Sequence, residues 1–223
     1  AVRREQGSWA ADVAVRREQV WVMLLLDGHL QREGREGHMT VWRPDFDPEH
    51  LYFVTTKAVQ YAHIFQRDVM KRLIVDTLDC FRSQERFELY TFVVMPNHVH
   101  IIIRCRPDDP LANVVRDFKT RVADRIIRHY QAEGNQTALD FLASAVTRPK
   151  KQTYKVWEDG YNAKDVFSPD FLCQKMTYSH NNPCQPHWNL VERPEDYPWS
   201  SARFYILGEP AIIPLDKVTE LLM

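Results

Sequence analysis

His98 and His100 stand one residue apart in the run Tyr90-Thr91-Phe92-Val93-Val94-Met95-Pro96-Asn97-His98-Val99-His100-Ile101-Ile102-Ile103-Arg104. β-Branched and aromatic residues fill most of that run, so it reads as strand. Side chains at i and i+2 leave a strand on the same face, which sets the two imidazoles side by side and turns Val99 into the core. Neutral imidazoles bind a divalent cation without cancelling its charge, leaving an electrophile for a phosphate or carbonyl oxygen. A lone His-x-His is more commonly a hydrogen-bonded pair than a metal site, so the rest of the chain has to supply partners.

The elements that must position the pair follow from periodicity. His50 to Thr56 reads as a short strand rich in Tyr, Phe, Val and Thr. Met70, Leu73, Ile74, Thr77, Leu78 and Phe81 recur at helical spacing and predict an amphipathic helix from about Arg67 to Gln84. Phe87 to Met95 and His98 to Arg104 are two strands or one bent strand, with Met95-Pro96-Asn97 as the interruption. Asp109-Pro110 predicts a capped helix start. The helix after it carries Leu111, Val115, Phe118, Val122 and Ile126 on one side and Arg121, Arg125 and Arg128 on another. Asn135 to Gln152 holds a short helix and a basic turn at Arg148, Lys150 and Lys151, and Thr153 to Trp157 reads as a further strand. Strand, helix, strand, strand, helix, strand is the order of an α+β ferredoxin-like or RRM-like sandwich, with an antiparallel sheet and the helices on one face. The open face is free to hold a site.

Further on, Ser168-Pro169 predicts the start of a helix running through Phe171, Leu172 and Met176 to Tyr178, and Pro183 ends it. Tyr178 and Asn182 are four apart and share a helix face. Taken alone, Tyr178 is a tyrosine packed on the sheet and Asn182 a C-terminal cap.

Length and composition bound the rest. At 223 residues, 44% hydrophobic and 26% charged, the chain suits one domain with a sizeable core, and its net charge of -1 carries no overall polyanion signal. The charge is uneven: Arg116 to Lys155 holds nine Lys/Arg against four Asp/Glu, and Glu158 to Met223 five against ten, which allows a local basic strip. Cys80, Cys105, Cys173 and Cys184 have no paired spacing and read as thiols in a reducing, cytoplasmic compartment. No apolar run approaches the roughly 20 residues of a membrane span. Residues 1–38, with a repeated Ala-Val-Arg-Arg-Glu-Gln and a charged, Gly-containing stretch, read as a flexible leader or cloning-derived segment, and 39–223 as the working domain.

Four ordered blocks then carry a resemblance: Met95-Pro96-Asn97-His98-Val99-His100, Trp157-Glu158-Asp159-Gly160-Tyr161, Tyr178-Ser179-His180-Asn181-Asn182-Pro183 and Tyr197-Pro198-Trp199-Ser200-Ser201. From about Leu51 to Tyr205 the chain resembles the REP-associated tyrosine transposases, which belong to the single-tyrosine HUH transposases. The resemblance implies a bacterial, nucleoid-associated enzyme of DNA transposition and recombination. It would nick and transfer single-stranded DNA, including hairpin-forming repeats (REP elements), through a 5′-phosphotyrosine. It also implies His98 and His100 as the paired metal ligands, Asn182 as the third, amide-type ligand and Tyr178 as the nucleophile. Monomer or homodimer stays open, because related enzymes can assemble each site from two chains. Two departures stand out: Ser179 replaces a usual aliphatic residue, and Cys184-Gln185-Pro186-His187-Trp188-Asn189 is longer than the common Gly-containing link.

The residue chemistry agrees with that implication. An oxygen-rich phosphate site with two His ligands suits Mg²⁺ or Mn²⁺. Tyr178, with an ordinary pKa of about 10, needs a proton acceptor, and His180 lies two residues along the helix on a different face. DNA contacts are expected from Arg104, Arg121, Arg125, Arg128, Lys150 and Lys151. Two rivals fit the same residues: an RRM-like nucleic-acid-binding module without catalysis, and a metal-dependent phosphodiesterase that uses water.

Overall fold

The computed structural model describes residues 45–218; the leader reading of residues 1–38 lies outside the described residues. Strands β1 (Leu51–Lys57), β2 (Phe87–Val94), β3 (His98–Cys105) and β4 (Asn162–Val166) pair into a 4-stranded antiparallel sheet in the order β2-β3-β1-β4. β2 and β3 are separate strands joined by a tight turn, closed by Met95 N donating to His98 O at 2.8 Å. Helices α1 (Asp68–Ser83) and α2 (Leu111–Ala132) supply Met70, Ile74 and Leu78, and Phe118, Val122 and Ile126, to one core with Tyr52, Val54, Val99, Ile101 and Ile103 of the sheet. Both helices therefore lie on one face, as a ferredoxin-like sandwich requires.

Alternate residues serve the other face. Leu51, Phe53 and Ile102 form a smaller apolar cluster with Tyr90, Val166, Val218 and Leu172. Leu172 comes from α4 (Pro169–Asn181), which crosses this second face. Ser168 caps α4 by accepting from Phe171 N at 3.2 Å, with proline at the first helical position. Burying each large apolar side chain is worth about 1.5–3 kcal/mol. A one-residue slip of β3 would expose Val99, Ile101 and Ile103 together, so the parity that aims the histidines is held by the main core.

Two expectations are corrected. Thr153–Trp157 is not a strand: it makes a single bridge, Ala58 to Trp157, while Lys155 N and Val156 O bond to Leu142 O and Val59 N. The fourth strand is the later segment Asn162–Val166, whose polar Lys164 and Asp165 suit an exposed sheet edge. Asp109 is not the cap of α2 either; its carboxylate is held by Arg86 at 2.7 Å, and Pro110 takes the cap position without a side-chain bond. Asn135-Gln136 does open a short helix, α3 (Gln136–Ser144), with Asn135 capping Ala138 N. No described helix is long and apolar enough to cross a membrane.

The Tyr197-Pro198-Trp199-Ser200-Ser201 block covers the outer edge of β2. Val94 N donates to Trp199 O at 2.9 Å, Ser201 N to Phe92 O at 2.9 Å, and Tyr197 Oη to Val94 O at 2.8 Å. Ser201 then ties this edge to α4: its Oγ accepts from Phe92 N at 3.1 Å and bonds His180 Nε2 at 2.8 Å. Helix α5 (Ala202–Leu207) follows and sends Tyr205 Oη to Tyr90 O. Ser201→Ala leaves the amide of Phe92 and the imidazole of His180 without this oxygen, and is expected to lower the unfolding free energy by about 1–3 kcal/mol, measured by urea denaturation.

Candidate active site

On β3, His98 and His100 do share one face, with ring centroids 4.7 Å apart, while Val99 enters the main core. The register of β1 brings Thr55 opposite His100 and Lys57 opposite His98. Each imidazole is pinned through Nδ1. His98 Nδ1 lies 2.7 Å from Asn97 Oδ1, and His100 Nδ1 lies 2.8 Å from Thr55 Oγ1. An amide oxygen only accepts, so His98 carries its proton on Nδ1 and presents the Nε2 lone pair. Such outer hydrogen bonds orient ligating histidines and select their tautomer.

Burial keeps both rings neutral. Desolvation, with the charges of Lys57 and His187 beside it, pushes His98 down to about 3, and burial followed by the charges of His98, Lys57 and Lys175 holds His100 well below the usual histidine range. Neutral imidazole is the form that ligates a metal.

The third donor comes from the end of α4. Asn182 is buried at 5% exposure, its side chain adjoins His98, and its Oδ1 has no hydrogen-bond partner; His100 Nε2 is likewise buried and unpaired. Buried polar atoms are nearly always satisfied, so an orphaned imidazole nitrogen and amide oxygen in one site point to a missing electrophile. Two nitrogens and one neutral oxygen fit a divalent cation with open positions. No cluster of three His, Cys, Asp or Glu side chains suited to a metal exists among the described residues. A site found only by such clusters would be missed here, because the third donor is an amide.

Tyr178 projects from α4 over the same face. Its ring meets His100 edge-on at 5.3 Å and Phe53 at 6.2 Å, and 44% of the residue remains exposed. The Lys175 ammonium, on a buried residue one turn earlier, lies 5.0 Å from the Phe171 ring, 5.6 Å from Phe53 and 5.7 Å from Tyr178. Ser179 is fully buried and donates to Lys175 O at 2.8 Å, which accommodates its hydroxyl where an aliphatic side chain was the pattern. His180 points away, bonded to Ser201 and pushed down to about 3 by burial.

The six residues expected to contact DNA do not form one group. Arg121, Arg125 and Arg128 are on α2, across the sheet from the histidines. Arg125 braces α2 to α1 through Leu73 O, Thr77 Oγ1 and Asp76, and Arg128 pairs with Asp124. Arg121, Lys150 and Lys151 are exposed. Arg104 is on the histidine face, but about 20 Å along the strand from His98, given some 3.3 Å per residue, and it pairs with Glu88 at 2.6 Å. Thr55, Asn97 and Lys175 join the site without a spacing signal of their own in the sequence. Asn97 could have been found from its place beside His98, whereas Thr55 needed the strand register.

Residues 50–168 match the family described as "Transposase IS200 like". That stretch includes His98 and His100 and ends at the cap of α4, before Tyr178 and Asn182. Among solved structures the chain is similar to a REP-associated tyrosine transposase bound to a REP hairpin, at 18% identity and a TM-score of 0.52, over 81% of this chain and 93% of that one. It is also similar to a putative transposase from Deinococcus radiodurans R1, at 20% identity and a TM-score of 0.39, over 66% of this chain and 97% of that one. No curated protein matches significantly.

The buried neutral histidines make stability depend on pH. Because their folded-state pKa values lie below the unfolded value of about 6.5, the unfolded chain binds more protons in the interval between. Stability is therefore retained above about pH 6.5 and lost as pH falls toward about 3. His98 and His180 are each expected to cost about 2 kcal/mol at pH 5, read as a lower urea midpoint in the presence of a chelator.

Proposed function

The chain belongs to the IS200-like transposase family, and on that premise we propose that it nicks and rejoins single-stranded DNA through a covalent bond to Tyr178. The observation that carries this reading is the pair of orphaned donors, His100 Nε2 and Asn182 Oδ1, beside a half-exposed tyrosine whose ring is 5.3 Å from His100. His98, His100 and Asn182 would hold Mg²⁺ or Mn²⁺. When bound, the ion supplies positive charge to the oxygens of the scissile phosphate.

Tyr178 Oη attacks phosphorus in line with the 3′ oxygen. The new bond joins Oη to phosphorus, the bond from phosphorus to the 3′ oxygen breaks, and that oxygen takes a proton from solvent and leaves as a 3′-hydroxyl. The phenolic proton passes to solvent on the exposed side of the ring, since the His180 imidazole is already engaged by Ser201. One phosphodiester replaces another, so a 3′-hydroxyl can reverse the attack and rejoin strands without a nucleotide cofactor. Lys175, with its ammonium beside the Tyr178 ring, adds charge near the phosphate. A hairpin-forming strand is the substrate favoured here; the structurally similar transposase was solved with a REP hairpin.

The test uses end-labelled hairpin-bearing single strands, Mn²⁺ or Mg²⁺, and a denaturing gel. A protein-linked DNA band is expected with the native chain and is abolished in Tyr178→Phe. A band that persists in that variant overturns the nucleophile assignment. Cleavage into free ends that survives Tyr178→Phe favours the water-using phosphodiesterase, and binding without any product favours the binding module.

The ligand roles give a separate outcome. Thr55→Val removes the hydrogen bond to His100 Nδ1 at nearly constant shape. It is expected to weaken Mn²⁺ affinity about 10- to 100-fold by calorimetry, the usual penalty for losing an orienting partner.

A further inference from the structure

The long link after Pro183 folds as a tight turn. Trp188 N and Asn189 N both donate to Gln185 O at 2.8 Å, and Leu190 N donates to Pro183 O at 2.9 Å. Asn189 holds a left-handed φ of 45°. The turn delivers the half-buried indole of Trp188 to within 5.8 Å of the His98 ring and 5.5 Å of His63, measured between centroids.

A second aromatic is held at the same end of the sheet. Gln60 and Tyr61 have φ values of 54° and 53°, a conformation that non-glycine residues adopt only when their surroundings impose it. Here Glu158 Oε1 accepts from Gln60 N at 2.6 Å, and Asn97 Nδ2 donates to Tyr61 O at 3.1 Å. That same Asn97 orients His98. The reward for the strain is not burial: Tyr61 is 52% exposed and belongs to neither apolar cluster. Its ring lies 4.7 Å from the ammonium of Lys57, the residue paired with His98 across the strands.

Two aromatic side chains and a cation thus gather at the His98 end of the site. A nucleotide adjoining the scissile phosphate presents the complementary chemistry, a flat base with a π-face and a phosphodiester charge. We propose that Trp188 forms a stacking platform for one unpaired base next to the scissile phosphate, with Tyr61 and Lys57, at the same end of the site, near the adjoining nucleotide. This inference rests on the strand-transfer reading above. Because every base has a π-face, the platform favours an unpaired base of any identity over a paired one.

The experiment is a cycle between protein and DNA, in the full chain carrying Tyr178→Phe so that no turnover intervenes. The probe is a hairpin with a single-stranded tail in which each tail nucleotide is replaced in turn by an abasic one. At one or two positions, the replacement is expected to weaken binding about 5- to 150-fold, the range for a lost base-on-aromatic stack. In Trp188→Ala the same replacement should change nothing further, and Trp188→Phe should restore the sensitivity. Independent effects of Trp188→Ala and the abasic replacement at every position overturn the platform, as does the absence of any sensitive position. Adduct formation by the chain with native Tyr178 is scored in parallel. An adduct with independent effects overturns the platform alone, whereas neither binding nor adduct overturns the strand-transfer reading together with it.

Discussion

The antiparallel pairing of β1 with β3 is the interaction on which the site depends. It fixes which residues oppose one another, Thr55 to His100 and Lys57 to His98, and so gives His100 its hydrogen bond to Thr55 and sets the charge of Lys57 beside His98. The strand repeat of two then sends Val99, Ile101 and Ile103 into the main core while the histidines face the other way. The stability of that core and the aim of the two histidines are consequences of one register. A substitution that loosened the register would disturb both, even if it touched neither histidine.

Much of this was legible in the sequence because it rests on short-range patterning. The period of α1, the cap at Ser168-Pro169 and the parity of His98 and His100 need only local physics, and each appears as expected. What was not legible depended on long-range partners. Asn162–Val166 looks too polar for a strand, yet it pairs with β1 because a sheet edge tolerates Lys164 and Asp165. Thr153–Trp157 looks like a strand, yet its backbone groups are taken up by Leu142 and Val59. Asp109 has the chemistry of a cap, but Arg86, distant in sequence, takes its carboxylate. The basic residues of α2 follow the same rule. Their spacing was visible, whereas their place across the sheet from the histidines needed the fold.

The site also illustrates a division of labour between two supports. The candidate ligands on β3 rest on the main core between the sheet and two helices. Tyr178 and, at its C-terminal cap, Asn182 rest on α4, whose hold on the sheet includes a small apolar cluster, the contacts of Tyr178 and Lys175 with Phe53, and the bond from His180 to Ser201. His180 thus acts structurally two residues from the candidate nucleophile. Its neutral, buried ring is what allows it to bond Ser201 without importing a charge.

The placement of Tyr178 on α4 and Asn182 at its cap, four residues apart with helical backbone at the cap, has a mechanical consequence. Side chains at this spacing are neighbours about 5–6 Å apart at Cβ, and a helix does not let one move without the other. Any shift of α4 over the sheet therefore changes the approach of the phenol and the position of the third donor together. Asn182 Oδ1 at the end of α4 and His100 Nε2 on β3 are both buried without partners, so one cation between them would satisfy an atom from each element. The proposed third donor and the candidate nucleophile therefore depend on one short stretch of chain, Tyr178 to its cap Asn182.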